Sequence, residues 1–192
     1  SYNMGWQSAG LDPRSQTPKI WNYGYVKGPM AFDIATLQAL YGANTDFNSG
    51  SSHYLLPDGN QPGTGWTCIW DTGGNDEIEY HNFRMSVHID LNAATLNNTP
   101  TGGGSPSYAY DSRGRIFGGF TIANGVIIEN ASASVNNDVL IGNQVRNVLY
   151  GGGGNDTLEG RDGNDVLHGD DGIDTMTGGQ GDDEYDVDTY SG

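Results

Sequence analysis

Asp138, Asp156 and Asp174 recur at intervals of eighteen residues, and Asn147, Asp165 and Asp183 do so nine residues out of step. Side chains at such an interval share one column only if the chain coils with that period. Stacked carboxylates repel one another unless a cation lies between them. An all-oxygen column selects a hard ion, and calcium takes roughly six to eight carboxylate or carbonyl oxygens at about 2.3–2.6 Å. Glycine-rich turns supply the carbonyls, because a backbone without Cβ can bend until several oxygens converge.

The elements that must hold these columns are visible as a repeat. In register the chain reads ASVNNDVLI from 133, GNQVRNVLY from 142, GGGGNDTLE from 151, GRDGNDVLH from 160, GDDGIDTMT from 169 and GGQGDDEYD from 178. The template is GGxGxDxUx, with U a large apolar residue, and such repetition fixes a stacked architecture before local propensity matters. The first six positions predict a tight turn and the last three a short strand, so two units complete one turn of a right-handed coil. Leu140, Leu149, Leu158, Leu167, Met176 and Tyr185 then stack inside as a core too thin to hold the fold alone. Metal supplies the remainder. The units at 133 and 142 have lost most glycines and Asn147 carries no charge, so the strongest sites are expected from residue 151 onward.

Composition agrees with a cation-dependent fold. Eight Lys plus Arg against twenty-four Asp plus Glu give a net charge of -16, which repels phosphate backbones and excludes nucleic acid as a natural partner. Twelve of those acids fall after residue 150, where Arg161 is the one basic side chain, and thirty-one glycines add a large entropic cost to folding. The single cysteine, Cys68, offers no disulfide to offset either, and in an alternating strand it reads as a buried small hydrophobe. No run of eighteen apolar residues and no charged-then-apolar leader is present, which reads as a soluble chain with neither a membrane span nor a Sec signal.

Upstream, residues 1–28 read as irregular coil. Pro29 then precedes Met30, Ile34, Leu37 and Tyr41, with Gly42 placed to stop the run, and this spacing predicts one amphipathic helix. Between 52 and 130 the period shifts towards two. Trp66, Cys68 and Trp70 share one face of a strand. Met85, Val87, Ile89 and Leu91 share one face of another, with Ser86, His88 and Asp90 opposite. Residues 99–119 carry the glycine, proline and serine density of a surface loop, and Val126, Ile127 and Ile128 restart a strand.

The repeats resemble those of RTX exoproteins, and upstream residues narrow the resemblance to the C-terminal part of serralysin-type zinc metalloproteases of the metzincin group. SYNMGW at 1–6 resembles the Met-turn that closes a metzincin active site, and FDIATLQALYGAN at 32–44 the helix that ends that catalytic domain. WDTGGNDEIE at 70–79 and IIEN at 127–130 resemble the family's first two calcium sites. Carried over, the first site takes carbonyls of Asn48, Gly50, Ser52 and Gly73 with the carboxylates of Asp71 and Asp76, and the second takes Gly74, Asp76, Ile127 and Glu129. In the roll the resemblance implies Ser134, Asn136 and Asp138 with Gly151, Gly153 and Asp156. It also implies Asn143, Val145 and Asn147 with Gly160, Asp162 and Asp165. Above them come Gly152, Gly154 and Asp156 with Gly169, Asp171 and Asp174, then Arg161, Gly163 and Asp165 with Gly178, Gln180 and Asp183.

The departures limit the function. Metzincin chemistry needs HExxHxxGxxH, three zinc-binding His and a general-base Glu, and the sequence contains no such motif. No catalytic centre is expected here, and zinc belongs to the absent catalytic part. His53, His81, His88 and His168 are scattered and read as surface or packing residues rather than ligands. Trp6 stands where the family usually has a zinc-reaching Tyr. There is no GxSxG elbow, which leaves a lipase without support.

The expected fold is mostly β: a right-handed parallel β-roll stacked on a small β-sandwich-like region, with one helix on the N-terminal side. The expected division is 1–50 as the closing segment of a catalytic domain, 51–132 as a β-rich connection and 133–192 as the roll. The resemblance implies a secreted, extracellular protein that binds several calcium ions, packs on its own catalytic domain and leaves by type I secretion machinery. The alternative is an RTX adhesion module that contacts polysaccharide or a cell surface through residues 99–119 or through Tyr108 and Tyr110.

Overall fold

Of the 192 residues, the computed structural model describes 25–187. The Met-turn-like segment at 1–6, with Trp6, lies outside the described residues. In chain order the elements are β1 (Tyr25–Val26), α1 (Ala31–Tyr41), β2 (His53–Leu55), β3 (Gly65–Ile69), β4 (Glu77–Glu79), β5 (Ser86–Asp90), β6 (Tyr108–Asp111), β7 (Gly114–Arg115) and β8 (Gly119–Ile122). Then follow β9 (Asn130–Ser132), β10 (Val139–Ile141), β11 (Val148–Tyr150), β12 (Thr157–Asp162), β13 (Val166–His168), β14 (Thr175–Gln180) and β15 (Glu184–Asp186). The fold is mostly strand with one short helix, and no described helix is long and apolar enough to cross a membrane.

Through the repeats the chain visits two six-stranded sheets alternately: β10, β12 and β14 lie in one, β11, β13 and β15 in the other. Neighbours are parallel and one full period apart. Leu140 faces Leu158, which faces Met176; Leu149 faces Leu167, which faces Tyr185. Leu140, Leu149, Leu158 and Leu167 are buried, while Tyr185 is 47% exposed because no described turn covers it.

The stack does not begin at residue 133. β10 pairs in parallel with β5, setting Leu140 beside Ile89, and β11 pairs with β9, setting Leu149 beside Ala131. From β9 the second sheet continues through β4 to β2, adding Ile78 and Tyr54 to the inner column. Glycine-poor strands therefore prolong both columns and anchor the roll in a broader core, with Val87, Ile89 and Leu91 on the inner face as the alternation predicts. A third sheet, β1–β3–β8, is parallel, so Tyr25 and Val26 form a strand where irregular coil is expected. Cys68 is buried within it, and burial pushes its thiol up to about 11.

The helix forms where predicted. Asp33 caps it by accepting the Met30 N–H at 3.1 Å, and Gly42, at φ +83°, ends it by donating to the Gln38 carbonyl at 2.8 Å. It is not amphipathic as expected, because Phe32 and Leu40 add exposed apolar side chains beyond the stripe of Ile34, Leu37 and Tyr41. Ala31 and Ile34 are buried, but Leu37 is 49% and Tyr41 83% exposed, beside a cleft lined by Tyr54, Trp70 and Phe120.

Two further readings need correction. Residues 99–119 are not simply a surface loop, since β6 and β7 form an antiparallel hairpin that extends the first sheet beyond β5. Ala109 and Ile116 are buried there, and Asp111 closes the turn by accepting the Arg113 N–H at 2.8 Å. Tyr108 packs against His88, with ring centroids 5.4 Å apart, and Arg115 lies over Tyr108 at 5.5 Å. The second correction is that Val126, Ile127 and Ile128 form no strand; pairing starts at Asn130. The carbonyls of Ile128 and Glu129 are instead taken by the side-chain amides of Asn143 and Asn147.

Candidate metal centre

The position-six side chains stand in two hydrogen-bonded columns. Asp156 Oδ1 accepts the Asp138 N–H at 2.8 Å, and Asp174 Oδ1 accepts the Asp156 N–H at 2.9 Å. In the other column Asp165 Oδ1 accepts the Asn147 N–H at 2.7 Å and Asp183 Oδ1 accepts the Asp165 N–H at 3.0 Å. Each bond uses one carboxylate oxygen. The other oxygens of Asp156 and Asp165 are buried with no hydrogen-bond partner, and so is Oδ2 of Asp76. A buried carboxylate oxygen without a partner is costly. A cation removes that cost where further oxygens converge.

They do converge. The Cα of Gly151 lies where an added Cβ would stand 2.5 Å from Asp156 Oδ2 and 2.9 Å from the Gly169 carbonyl oxygen. Gly160 is likewise wedged between Asp165 Oδ2 and the Gly178 carbonyl. Across the turns Gly153 N–H donates to Ser134 O at 3.0 Å, Asp171 to Gly152 at 2.8 Å, Gly163 to Gln180 at 2.8 Å and Asp162 to Asn143 at 3.3 Å. Gly154 and Gly163 press on the carbonyls of Asn136 and Val145. From residue 151 on, positions two and four of the unit have positive φ, as at Gly152 (+91°) and Gly154 (+112°), which is why glycine recurs there. Arg161 (+80°) holds position two without being glycine, and the turns at 133 and 142 do not need the conformation. Gly169 and Gly178 back onto Asp174 and Asp183 in the same way.

The residues assigned upstream also meet. Asp76 Oδ1 accepts the Ser52 N–H at 2.8 Å, and Glu129 Oε2 accepts the Asp76 N–H at 2.8 Å. Asp71 accepts from the Gly73 N–H at 3.0 Å and from the Tyr54 hydroxyl at 2.5 Å, and Asn48 in turn donates to that hydroxyl at 3.4 Å. Gly74 packs directly on Gly50. Ile127 stands on the extended segment two residues before Glu129, partly exposed, and no described hydrogen bond ties it to Asp76. Tyr54 is a contributor that sequence reading missed, since only the β2–β4 register brings its hydroxyl to Asp71.

The lower ends of both columns are satisfied by protein donors. Asp138 accepts the Val87 N–H at 2.6 Å and both the N–H and hydroxyl of Ser134, at 2.7 and 2.8 Å. Asn147 Oδ1 accepts the Asn143 N–H at 2.8 Å, while its amide donates to Glu129 O at 3.0 Å and Ile128 O at 3.4 Å. The segment at 128–129, just ahead of β9, thus presents carbonyls where other turns present an N–H, so a donor is required at 147. Asn147→Asp, which restores the repeat's usual carboxylate, is expected to lower stability at saturating calcium by about 1–3 kcal/mol. Thermal melting checks this, and a raised midpoint would contradict it.

Burial, together with the charges of Asp138 and Asp174, holds the Asp156 carboxyl up at about 7; burial and the nearby Asp71 and Glu129 hold Asp76 at about 6. Burial also raises Asp138 and Asp165. The folded value at Asp76 and Asp156 exceeds the unfolded one near 4. The metal-free fold therefore keeps this contribution below about pH 4 and loses it as pH rises through 6 to 7. In EDTA, acidification from about pH 8 to 5 is expected to increase ordered structure by far-UV circular dichroism. Loss of structure over that range would contradict the account.

Buried carboxylates in register and recurrent glycine turns are the features of a calcium-binding repeat. Comparison with known proteins agrees: residues 133–167 and 159–188 match the family described as "RTX calcium-binding nonapeptide repeat (4 copies)". The chain is 35% identical over 134 residues to metallopeptidase AprA of Pseudomonas marginalis and to serralysin of Photorhabdus laumondii, a match covering 65% of this chain and 25% of each relative. Serralysin C of Dickeya chrysanthemi is 37% identical over 127 residues, 61% of this chain and 23% of that protein. The chain carries RTX calcium-binding repeats and is similar to serralysin-type metalloproteases, of whose length it spans about a quarter.

Proposed function

We propose that this chain is the calcium-binding C-terminal portion of a secreted serralysin-like metalloprotease. Its repeats form a right-handed parallel β-roll, a hand supported by the strong preference of parallel crossovers for that sense. The observation that carries the reading is the set of buried, partnerless carboxylate oxygens at Asp76, Asp156 and Asp165. Calcium ions seated there neutralise the columns, and their binding free energy becomes folding free energy. An ion at a thousand times its Kd contributes about 4.1 kcal/mol, so a few ions decide the state of this chain.

In a calcium-poor cytosol the repeats stay open and pass through type I secretion machinery; in extracellular calcium they close. Residues 1–50 then belong to the end of the catalytic domain, which packs on the exposed Leu37, Leu40 and Tyr41 of α1. The chemistry of that domain, with its zinc, lies outside this chain, which acts by folding and stabilising it.

The test is a calcium titration of the EDTA-treated chain followed by far-UV circular dichroism, with casein hydrolysis assayed in added zinc. A cooperative gain of β structure without hydrolysis is expected. Equal structure with and without calcium would overturn the folding role, and casein cleavage would overturn the non-catalytic one.

A further inference from the structure

The outer face of the second sheet brings His53 to carboxylates that lie 24 and 26 residues further along the sequence. In the β2–β4 register His53 lies opposite Glu77 and Leu55 opposite Glu79. Alternation turns Tyr54 and Ile78 inward, so His53, Glu77 and Glu79 share the outward face. His53 Nδ1 stands 3.4 Å from Glu77 Oε2 and 3.6 Å from Glu79 Oε2, and the three atoms all lie within 4.8 Å of one another. Ligand atoms held tetrahedrally at about 2.0–2.1 Å from a zinc ion are roughly 3.4 Å apart. The separations from His53 are therefore already close to those of a coordinated set.

The carboxylates are also held from behind. Ser132, which neighbours Glu79 across the β4–β9 ladder, donates its hydroxyl to Glu77 Oε1. His81 Nε2 lies 2.8 Å from Glu79 Oε2. Glu77 and Glu79 are 20% and 15% exposed, whereas His53 is 61% exposed, so two oriented anions face an accessible imidazole. Outer partners of this kind fix ligand orientation in metal sites.

We infer that His53, Glu77 and Glu79 form a binding site for a borderline divalent ion of the zinc type. Water completes its coordination, and His81 and Ser132 act as positioning residues. One imidazole nitrogen among the ligands separates this site from the all-oxygen calcium columns. The ion ties the edge strand β2 to β4, closing the open end of the second sheet.

The test is calorimetric zinc titration of the full chain in saturating calcium. One zinc ion is expected. His53→Ala should weaken it at least about 100-fold and His81→Ala about tenfold, in line with the effect of losing an outer partner. His168→Ala, which touches a separate carboxylate, Asp186, should leave it unchanged. Circular dichroism in calcium confirms that each variant is folded, and hydrogen exchange reads the clamp directly as slower exchange at 53–55 when zinc is added. Binding by His53→Ala equal to that of the unaltered chain, or no zinc binding by the unaltered chain, overturns the site.

Discussion

Asp156→Asn is expected to raise the calcium concentration needed for half-maximal folding more than Asp183→Asn does. Asp156 stands in the middle of its column, its N–H donating to Asp174 and its Oδ1 accepting from Asp138, so in the proposed arrangement an ion below and an ion above would share its charge. Asp183 ends its column among the described residues and is partly exposed. If each weakened ion costs about 1.4 kcal/mol, a factor of ten, the bridging residue costs roughly 2.8 kcal/mol and the terminal one roughly 1.4 kcal/mol. A second effect separates the variants. Burial holds the Asp156 carboxyl at about 7, so an uncharged amide removes a cost that the metal-free fold otherwise bears at neutral pH. Asp156→Asn should therefore leave more residual structure in EDTA while demanding more calcium for completion. Circular dichroism of both variants during titration reads both numbers, and equal midpoints would contradict the shared-ion arrangement.

Chelation is expected to open the stack from β15 inward. Position-eight side chains trace the gradient: Tyr185 is half exposed and Met176 partly buried, while Leu158 and Leu140 are buried and lead to Ile89. The last turns therefore have the least apolar area to offset a partnerless carboxylate. In EDTA, amides of Thr175–Gln180 and Glu184–Asp186 are expected to lose protection well before those of Ser86–Asp90, which also pair with the β6 hairpin. Regions of unequal local stability exchange separately. Simultaneous loss of protection across these strands would show that calcium supports the whole chain as one unit.

The repeat made much of this legible. A nine-residue period with a fixed apolar position predicts the pairing of Leu140 with Leu158 and of Leu149 with Leu167, and the structure has both. The same period places Asp156 and Asp165 mid-column. What the period does not contain is its own continuation. Ile89 and Ala131 extend the columns from strands without the repeat's glycines, and Ile78, although it follows the Gly73–Gly74 turn and Asp76, stands outside the nine-residue run, so only tertiary pairing joins them. The β6–β7 hairpin was hidden by the glycine, proline and serine residues that precede it, although Ala109 and Ile116 carry its buried face. Asn147 reads as a weakened aspartate in the repeat, whereas its partners at Ile128 and Glu129 make it a required donor. His53 and His81 read as scattered because strand register, not spacing, sets them around Glu77 and Glu79.

The most direct measurement is a crystal structure of the calcium-loaded chain with anomalous difference density. The account predicts peaks about 2.3–2.6 Å from Oδ2 of Asp76, Asp156 and Asp165. Calcium-saturated crystals in which those three oxygens meet only water or protein donors would contradict it.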